Sequence, residues 1–220
     1  MTSPPKKLIV RELGLQEYQP IWQEMQDFTV SRDESTADEL WCLEHPPIFT
    51  MGLNGKDEHL LNIKKIPVVN IDRGGQVTYH GPGQLVIYTL IDLTRLNIGV
   101  KELVNIIEKS IILLLKQYGI NAQGKEGAPG VYVEGNKIAA LGLRIKKNKS
   151  YHGLSLNVDM DLAPFQQINP CGYEGMEVTQ IKELIKNSNR LKIKSDLILL
   201  LSKQLGYDKQ DIDFINNVTA

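Results

Sequence analysis

The chain has 220 residues, 42% of them hydrophobic and 23% charged, which is enough apolar material for one packed core and sets a prior of a single domain over 1–220. A net charge of -1 provides no broad basic field of the kind that holds a phosphate backbone, so nucleic acid is excluded as a general partner. Two cysteines outside any CxxC spacing, four scattered histidines and no apolar leader after Met1 argue against a disulfide framework, a metal site or a membrane span, and lead us to expect a cytoplasmic chain.

In chain order, Tyr18, Ile21, Trp22, Met25 and Phe28 recur at helical spacing, and a strand-like run, Leu40 to Leu43, follows before Pro46 and Pro47. Strands are expected over 66–71 and 85–93. A helix is predicted from about Lys101 to Tyr118, because Leu103, Ile106, Ile107, Ile111, Leu114 and Leu115 form one stripe, with Gly119 as its stop. Runs 131–133, 137–145 and 152–158 predict an antiparallel meander, since Gly135-Asn136 and the polar run 146–150 are turn chemistry. Ser195 is expected to cap a last helix that ends at Gly206, and the tail from about 207 is expected to fray. The fold class is therefore α+β.

Four segments stand out chemically. Between two strands, Arg73-Gly74-Gly75-Gln76-Val77-Thr78-Tyr79-His80-Gly81-Pro82-Gly83-Gln84 combines glycines, which let a ligand approach the main chain, with polar side chains that would orient it. It lacks the GxxxxGK[ST] and GxGxxG spacings of nucleotide cradles. An ordinary glycine-rich hairpin is the alternative. Cys171 lies between Pro170 and Gly172 in a polar loop, where a thiol is open to approach, whereas Cys42, flanked by Trp41 and Leu43, fits a buried small hydrophobe. A buried role is the alternative for Cys171 too.

Lys137 shares strand parity with Ala139, Leu141 and Leu143, which would point it to an apolar side where its charge lowers a neighbouring thiol's pKa; a solvated surface lysine is the alternative. The run Tyr151 to Val158 is a small-residue strand in which Gly153 allows close approach. Lys146, Lys147 and Lys149, in the turn taken to lie beside this site, are candidates for contact with an acidic partner.

The blocks RGGQVTYHGPGQLVIY from Arg73, GVYV from Gly130, KIAALGLRI from Lys137, HGLSLNV from His152 and NPCGYEGMEVTQ from Asn169 together closely resemble the octanoyltransferases of lipoate biosynthesis, the lipoyl(octanoyl) transferases. Two departures are Tyr132, where the family commonly shows Trp, and Ala140, where a small polar residue is frequent. The resemblance implies a mixed, largely antiparallel sheet with flanking helices, like that of biotin and lipoate protein ligases. It implies that Cys171 is the nucleophile that carries an acyl-thioester and Lys137 the partner that lowers its pKa and handles protons. Arg73, Gly74, Gly75, Gln76, Val77, Thr78, Tyr79 and His80, with Ala140, Leu141, Gly142, Gly153, Leu154 and Ser155, would line the acyl pocket. The implied donor is octanoyl-acyl carrier protein. The implied acceptors are lipoyl domains of 2-oxoacid dehydrogenases and the glycine cleavage H protein, with no cofactor. The competing readings are an ATP-dependent lipoate or biotin ligase and a non-catalytic acyl-carrier-binding module.

Overall fold

A computed structural model describes residues 7–216, with the main chain only at Cys171. Its elements, in chain order, begin with β1 (Leu8–Leu15), α1 (Tyr18–Ser31), β2 (Asp38–Glu44), β3 (Ile48–Met51), β4 (Val68–Asn70), β5 (Val77–His80) and β6 (Gln84–Leu90). They continue with α2 (Leu93–Leu96), α3 (Val100–Gln117), β7 (Gln123–Gly124), β8 (Gly130–Val133), β9 (Asn136–Lys146) and β10 (Lys149–Asn157). The last are α4 (Ile181–Leu184), α5 (Arg190–Gln204) and β11 (Ile212–Asn216).

The large sheet has the order β11-β1-β2-β6-β10-β9-β8-β7. Within this sheet only β1 pairs in parallel, with β11 and β2, and its other pairings are antiparallel. A small sheet, β4-β3-β5, stands beside it; there β3 pairs with β4 in parallel and with β5 antiparallel. This is the mixed, largely antiparallel arrangement expected.

Period-two alternation decides which helix covers which face. From β2, Leu40 and Cys42 join Leu103, Ile107, Ile111, Leu114 and Leu115 of α3 and Leu197, Ile198 and Leu201 of α5 in the main core. Trp41 and Leu43 point the other way, to Ile21 and Met25 of α1. Burying a side chain such as Leu114 stabilises by roughly 1.5–3 kcal/mol, so the striped helix is held by its packing more than by propensity.

The ends of the helices correct one expectation. The Asn189 side chain caps α5 through the Lys192 N–H, 3.1 Å, while Ser195 lies inside the helix and bonds back to the Lys192 carbonyl, 2.9 Å. Gly206, at φ 82°, is the stop.

The tail also departs from expectation. Tyr207 is buried and its hydroxyl donates to Asp38, and β11 then extends the sheet beside β1. Asp38 is 0% exposed and also takes an ion pair from Arg32, another from Arg95 at 3.0 Å, and the Asp92 N–H at 2.8 Å. One buried carboxylate thereby ties β2, α2 and the segment after α5 together, so fraying does not begin at 207. Residues 217–220, the rest of that tail, lie outside the described residues.

Candidate active site

Three neighbouring strands lay small residues in rows. Tyr88 pairs with Gly153 and Gly153 with Gly142; Val86 pairs with Ser155 and Ser155 with Ala140. Flanked by bulky Val86 and Tyr88, these small side chains leave a hollow on the sheet face under the segment 73–80. The resulting cleft, about 470 Å³ including the part open to solvent, is lined by Arg73, Gly75, Gln76, Val77, Thr78, His80, Ala140, Leu141, Gly142, Gly153, Leu154 and Ser155.

Gly74 and Tyr79 stand outside the cleft. The Gly74 N–H donates to the Leu143 carbonyl at 2.9 Å, fastening the segment to β9. The Tyr79 ring packs away from the cleft, 5.4 Å from Phe49 and 5.4 Å from Phe165. The segment is no simple loop or hairpin: residues 77–80 form β5, which pairs with β3 in the small sheet, while β6 belongs to the large one. Tyr18, Val86, Tyr88 and His152 also line the cleft. The tyrosines and Val86 sit at apolar-periodic positions of a helix and a strand, where sequence reads them as core.

Buried polar groups beneath the cleft form a directed chain. Arg73 donates to Thr50, 2.6 Å to its carbonyl and 3.0 Å to its hydroxyl. The Thr50 hydroxyl faces His80 Nε2 at 3.4 Å, and His80 Nδ1 meets Gln84 Oε1 at 2.7 Å. Because that oxygen only accepts, Nδ1 carries the proton and Nε2 accepts. Gln84 then donates to Asn157 Oδ1, 2.9 Å, and Asn157 to the Thr179 carbonyl, 3.0 Å. Burial pushes the pKa of His80 down to about 3, so the ring is neutral. His45, likewise pushed down to about 4 by burial, bonds the Tyr88 hydroxyl at 2.7 Å. At the far end, His152 Nε2 lies 2.9 Å from Asp72. Burial would raise the Asp72 pKa, but hydrogen bonds from His152, Tyr151 and Trp22 hold it well below the usual carboxylate range.

Lys137 is 3% exposed, but not by the parity expected from sequence. Between β8 and β9, one step from Val131 to Tyr132 spans Ala139 to Lys137 on the partner strand, so Ile138 is an extra, bulged residue. Ile138 and Ala139 both enter the main core. The bulge turns Lys137 away from the side shared by Ala139, Leu141 and Leu143, into a second cavity of about 270 Å³ with Gln84, Asn157 and Pro170. That cavity shares Thr78, Ala140 and Ser155 with the first.

The Lys137 ammonium lies 5.2 Å from the Tyr132 ring centroid and 3.5 Å from the Pro129 carbonyl, both of which favour its charge. Its main chain bonds Glu177 and Thr179, at 2.9 and 3.0 Å. Gly130 makes room for it: a methyl group there would lie 3.0 Å from Lys137 Cε.

Cys171 sits in a 3₁₀ turn, Pro170–Gly172; its side chain lies outside the described residues. The turn is anchored by the Asn169 N–H donating to the His59 carbonyl, 2.9 Å. Cys42 is buried in the main core, and burial pushes its thiol pKa up, as suits an inert side chain. Lys146, Lys147 and Lys149 are not beside this centre. They lie at the opposite end of β9 from Lys137, roughly 30 Å away at ~3.3 Å per residue. Among the described residues no cluster suits a metal ion, and no helix is long and apolar enough to cross a membrane.

Residues 20–199 match the family model of the lipoyl protein ligase A/B catalytic domain. A protein of Shewanella pealeana named octanoyltransferase is 57% identical over 202 residues, 92% of each chain. Among solved structures, a bi-partite lipoate protein ligase from Thermoplasma acidophilum, described with its lipoyl domain, superposes with a TM-score of 0.72 at 15% identity, covering 99% of this chain and 88% of that one. The biotin protein ligase from Aquifex aeolicus in complex with biotin and ATP superposes with a TM-score of 0.56 at 11% identity, over 90% of this chain and 70% of that one.

Proposed function

The chain belongs to the lipoyl protein ligase A/B catalytic-domain family, and from that premise we propose that it moves an octanoyl group from a carrier thioester to a lysine of a lipoyl domain through an acyl-thioester on Cys171. It is an acyltransferase of lipoylation. The donor is octanoyl-acyl carrier protein; the acceptors are the lipoyl domains of 2-oxoacid dehydrogenases and the glycine cleavage H protein. One catalytic domain over 1–220, working in the cytoplasm, carries the reaction.

The observation that carries this reading is the pair of adjoining cavities. One holds Lys137 and Pro170, the residue before Cys171; the other is a hollow floored by small residues. In the first half-reaction, the Cys171 thiolate attacks the thioester carbonyl, a new C–S bond forms, the old one breaks, and the carrier leaves as thiol with a proton taken from the Lys137 ammonium, which is left neutral. The nearby ammonium of Lys137 favours thiolate over thiol. In the second, the acceptor amine attacks the enzyme thioester. A C–N bond forms, the C–S bond breaks, Cys171 returns as thiolate, and the proton lost by the amine passes to Lys137 or water.

Thioester exchange is nearly isoenergetic and amide formation is downhill, so no ATP is consumed. The decisive assay is transfer from preformed octanoyl-carrier to a lipoyl domain in the absence of nucleotide. Product at full rate supports an acyltransferase of this mechanism, whereas an absolute need for ATP places the chain with the ligases.

A further inference from the structure

We propose that Gln76, His59 and Glu58 form the receptor for the attacking amine of the acceptor lysine, an inference that rests on the acyl-enzyme reading above. Gln76 and His59 press on the residue next to Cys171 from two different elements. A methyl group on Gly172 would lie 3.1 Å from Gln76 Cγ and 3.1 Å from His59 Nε2. The 3₁₀ turn Asp57–His59 is fixed to the cysteine loop by main-chain bonds, with the Asn169 N–H on the His59 carbonyl at 2.9 Å and a bridge between Leu60 and Ile168. These bonds set the His59 side chain beside Gly172.

Two polar atoms in this corner, Gln76 Oε1 and His59 Nδ1, are buried without a hydrogen-bond partner. An unmade bond of this kind costs ~1–3 kcal/mol, and such atoms in a native structure call for an explanation. Gln76 also lines the acyl cleft, so its amide stands where cleft and cysteine loop meet.

The polarity selects the ligand. A glutamine carbonyl oxygen only accepts, and a neutral imidazole offers one accepting nitrogen. The Glu58 carboxylate, 3.8 Å from His59 Nε2, adds negative charge at the solvent side, where its other partner is the exposed Lys56. The fitting group donates several N–H bonds. A lysine side chain does so, with three as the arriving ammonium and two as the neutral amine whose lone pair is then left to face the thioester, whereas the carrier's thiol is a single weak donor. The corner therefore belongs to the second half-reaction, holding the amine nitrogen beside the Cys171 thioester.

The test separates the nucleophiles. Acyl-enzyme is prepared with octanoyl-carrier and confirmed by mass spectrometry in wild type, Gln76→Leu, Gln76→Glu and His59→Phe. Release is then measured with a lysine amine, Nα-acetyl-lysine amide or a lipoyl domain, and with the carrier thiol. Gln76→Leu and His59→Phe are expected to lower the ratio of amine-driven to thiol-driven release up to about tenfold, the scale of one hydrogen bond. Gln76→Glu, which keeps acceptors in place, is expected to preserve that ratio. A purely structural role would slow both releases alike, and an unchanged ratio in Gln76→Leu and His59→Phe overturns the inference. Absence of any adduct on wild type overturns the acyl-enzyme reading itself, and this inference with it.

Discussion

Replacing Gly130 by alanine tests how tightly the position of Lys137 is set. Gly130 has φ 148°, and its added methyl would lie 2.8 Å from the Ala139 carbonyl oxygen, 3.0 Å from Lys137 Cε and 3.3 Å from Lys137 Nζ. The carbonyl belongs to β9, held between β8 and β10, so relief comes from a shift of residue 130 itself, which carries the methyl against the flexible lysine chain and displaces it. The strained backbone costs on the order of 1–3 kcal/mol, which for a chain of this size lowers Tm by about 2–12 °C. A displacement approaching 1 Å at a reacting group costs up to ~10²-fold in rate, so transfer is expected to fall about 10- to 100-fold. Gly135→Ala is the matched control. It carries the same kind of strain, at φ 89°, but meets nothing within 4 Å. The readouts are melting temperature and the rate of acyl-enzyme formation well below either Tm. Wild-type acylation in Gly130→Ala, or equal losses in the two variants, would refute the claim that Gly130 sets the ammonium in place.

Cys171→Ala is expected to abolish transfer, while Cys42→Ala, in the core, should cost stability but leave transfer intact; equal loss in both, at preserved folding, would reverse the assignment. Asp38→Ala leaves Arg32 buried without its carboxylate and should destabilise by ~3–5 kcal/mol, read as a lower urea midpoint. His80 and His45 have pKa values pushed down to about 3 and about 4. Below their unfolded pKa near ~6.5 the unfolded chain takes up protons that the folded chain refuses. Stability is therefore full above that pH and falls as pH drops towards those values, by about 1.4 kcal/mol per pH unit for each ring. Urea midpoints from pH 7 to 4.5 measure this, and a flat profile would show the rings protonated in the folded state.

The fold was legible wherever one physical signal acted alone. The stripe of α3 and the turn chemistry between β8, β9 and β10 placed those elements within a few residues. β1 and β11 escaped notice because their pairing joins segments near opposite ends of the sequence: Leu8 lies opposite Ile212. Nothing local in either segment announces the other. The site was legible as a set of blocks, but its geometry was not. Strand parity alone puts Lys137 with Ala139, and only the bulge at Ile138, a property of pairing with β8, turns it to the cavity it shares with Pro170. The lysines of the turn after β9 looked close because they follow the site blocks in sequence, yet a long strand carries them away. His59 carried no signal at all, since its place beside Gly172 comes from main-chain bonds between distant segments.

The central claim is a covalent octanoyl intermediate on one cysteine. Purified protein exposed to octanoyl-carrier, then digested and mapped by mass spectrometry without hydroxylamine and after it, tests this most directly. The account predicts a hydroxylamine-labile octanoyl group on the peptide that contains Cys171, formed without ATP and discharged when a lipoyl domain is added. An adduct on Cys42, or transfer to the lipoyl domain with no adduct on any cysteine, would contradict it.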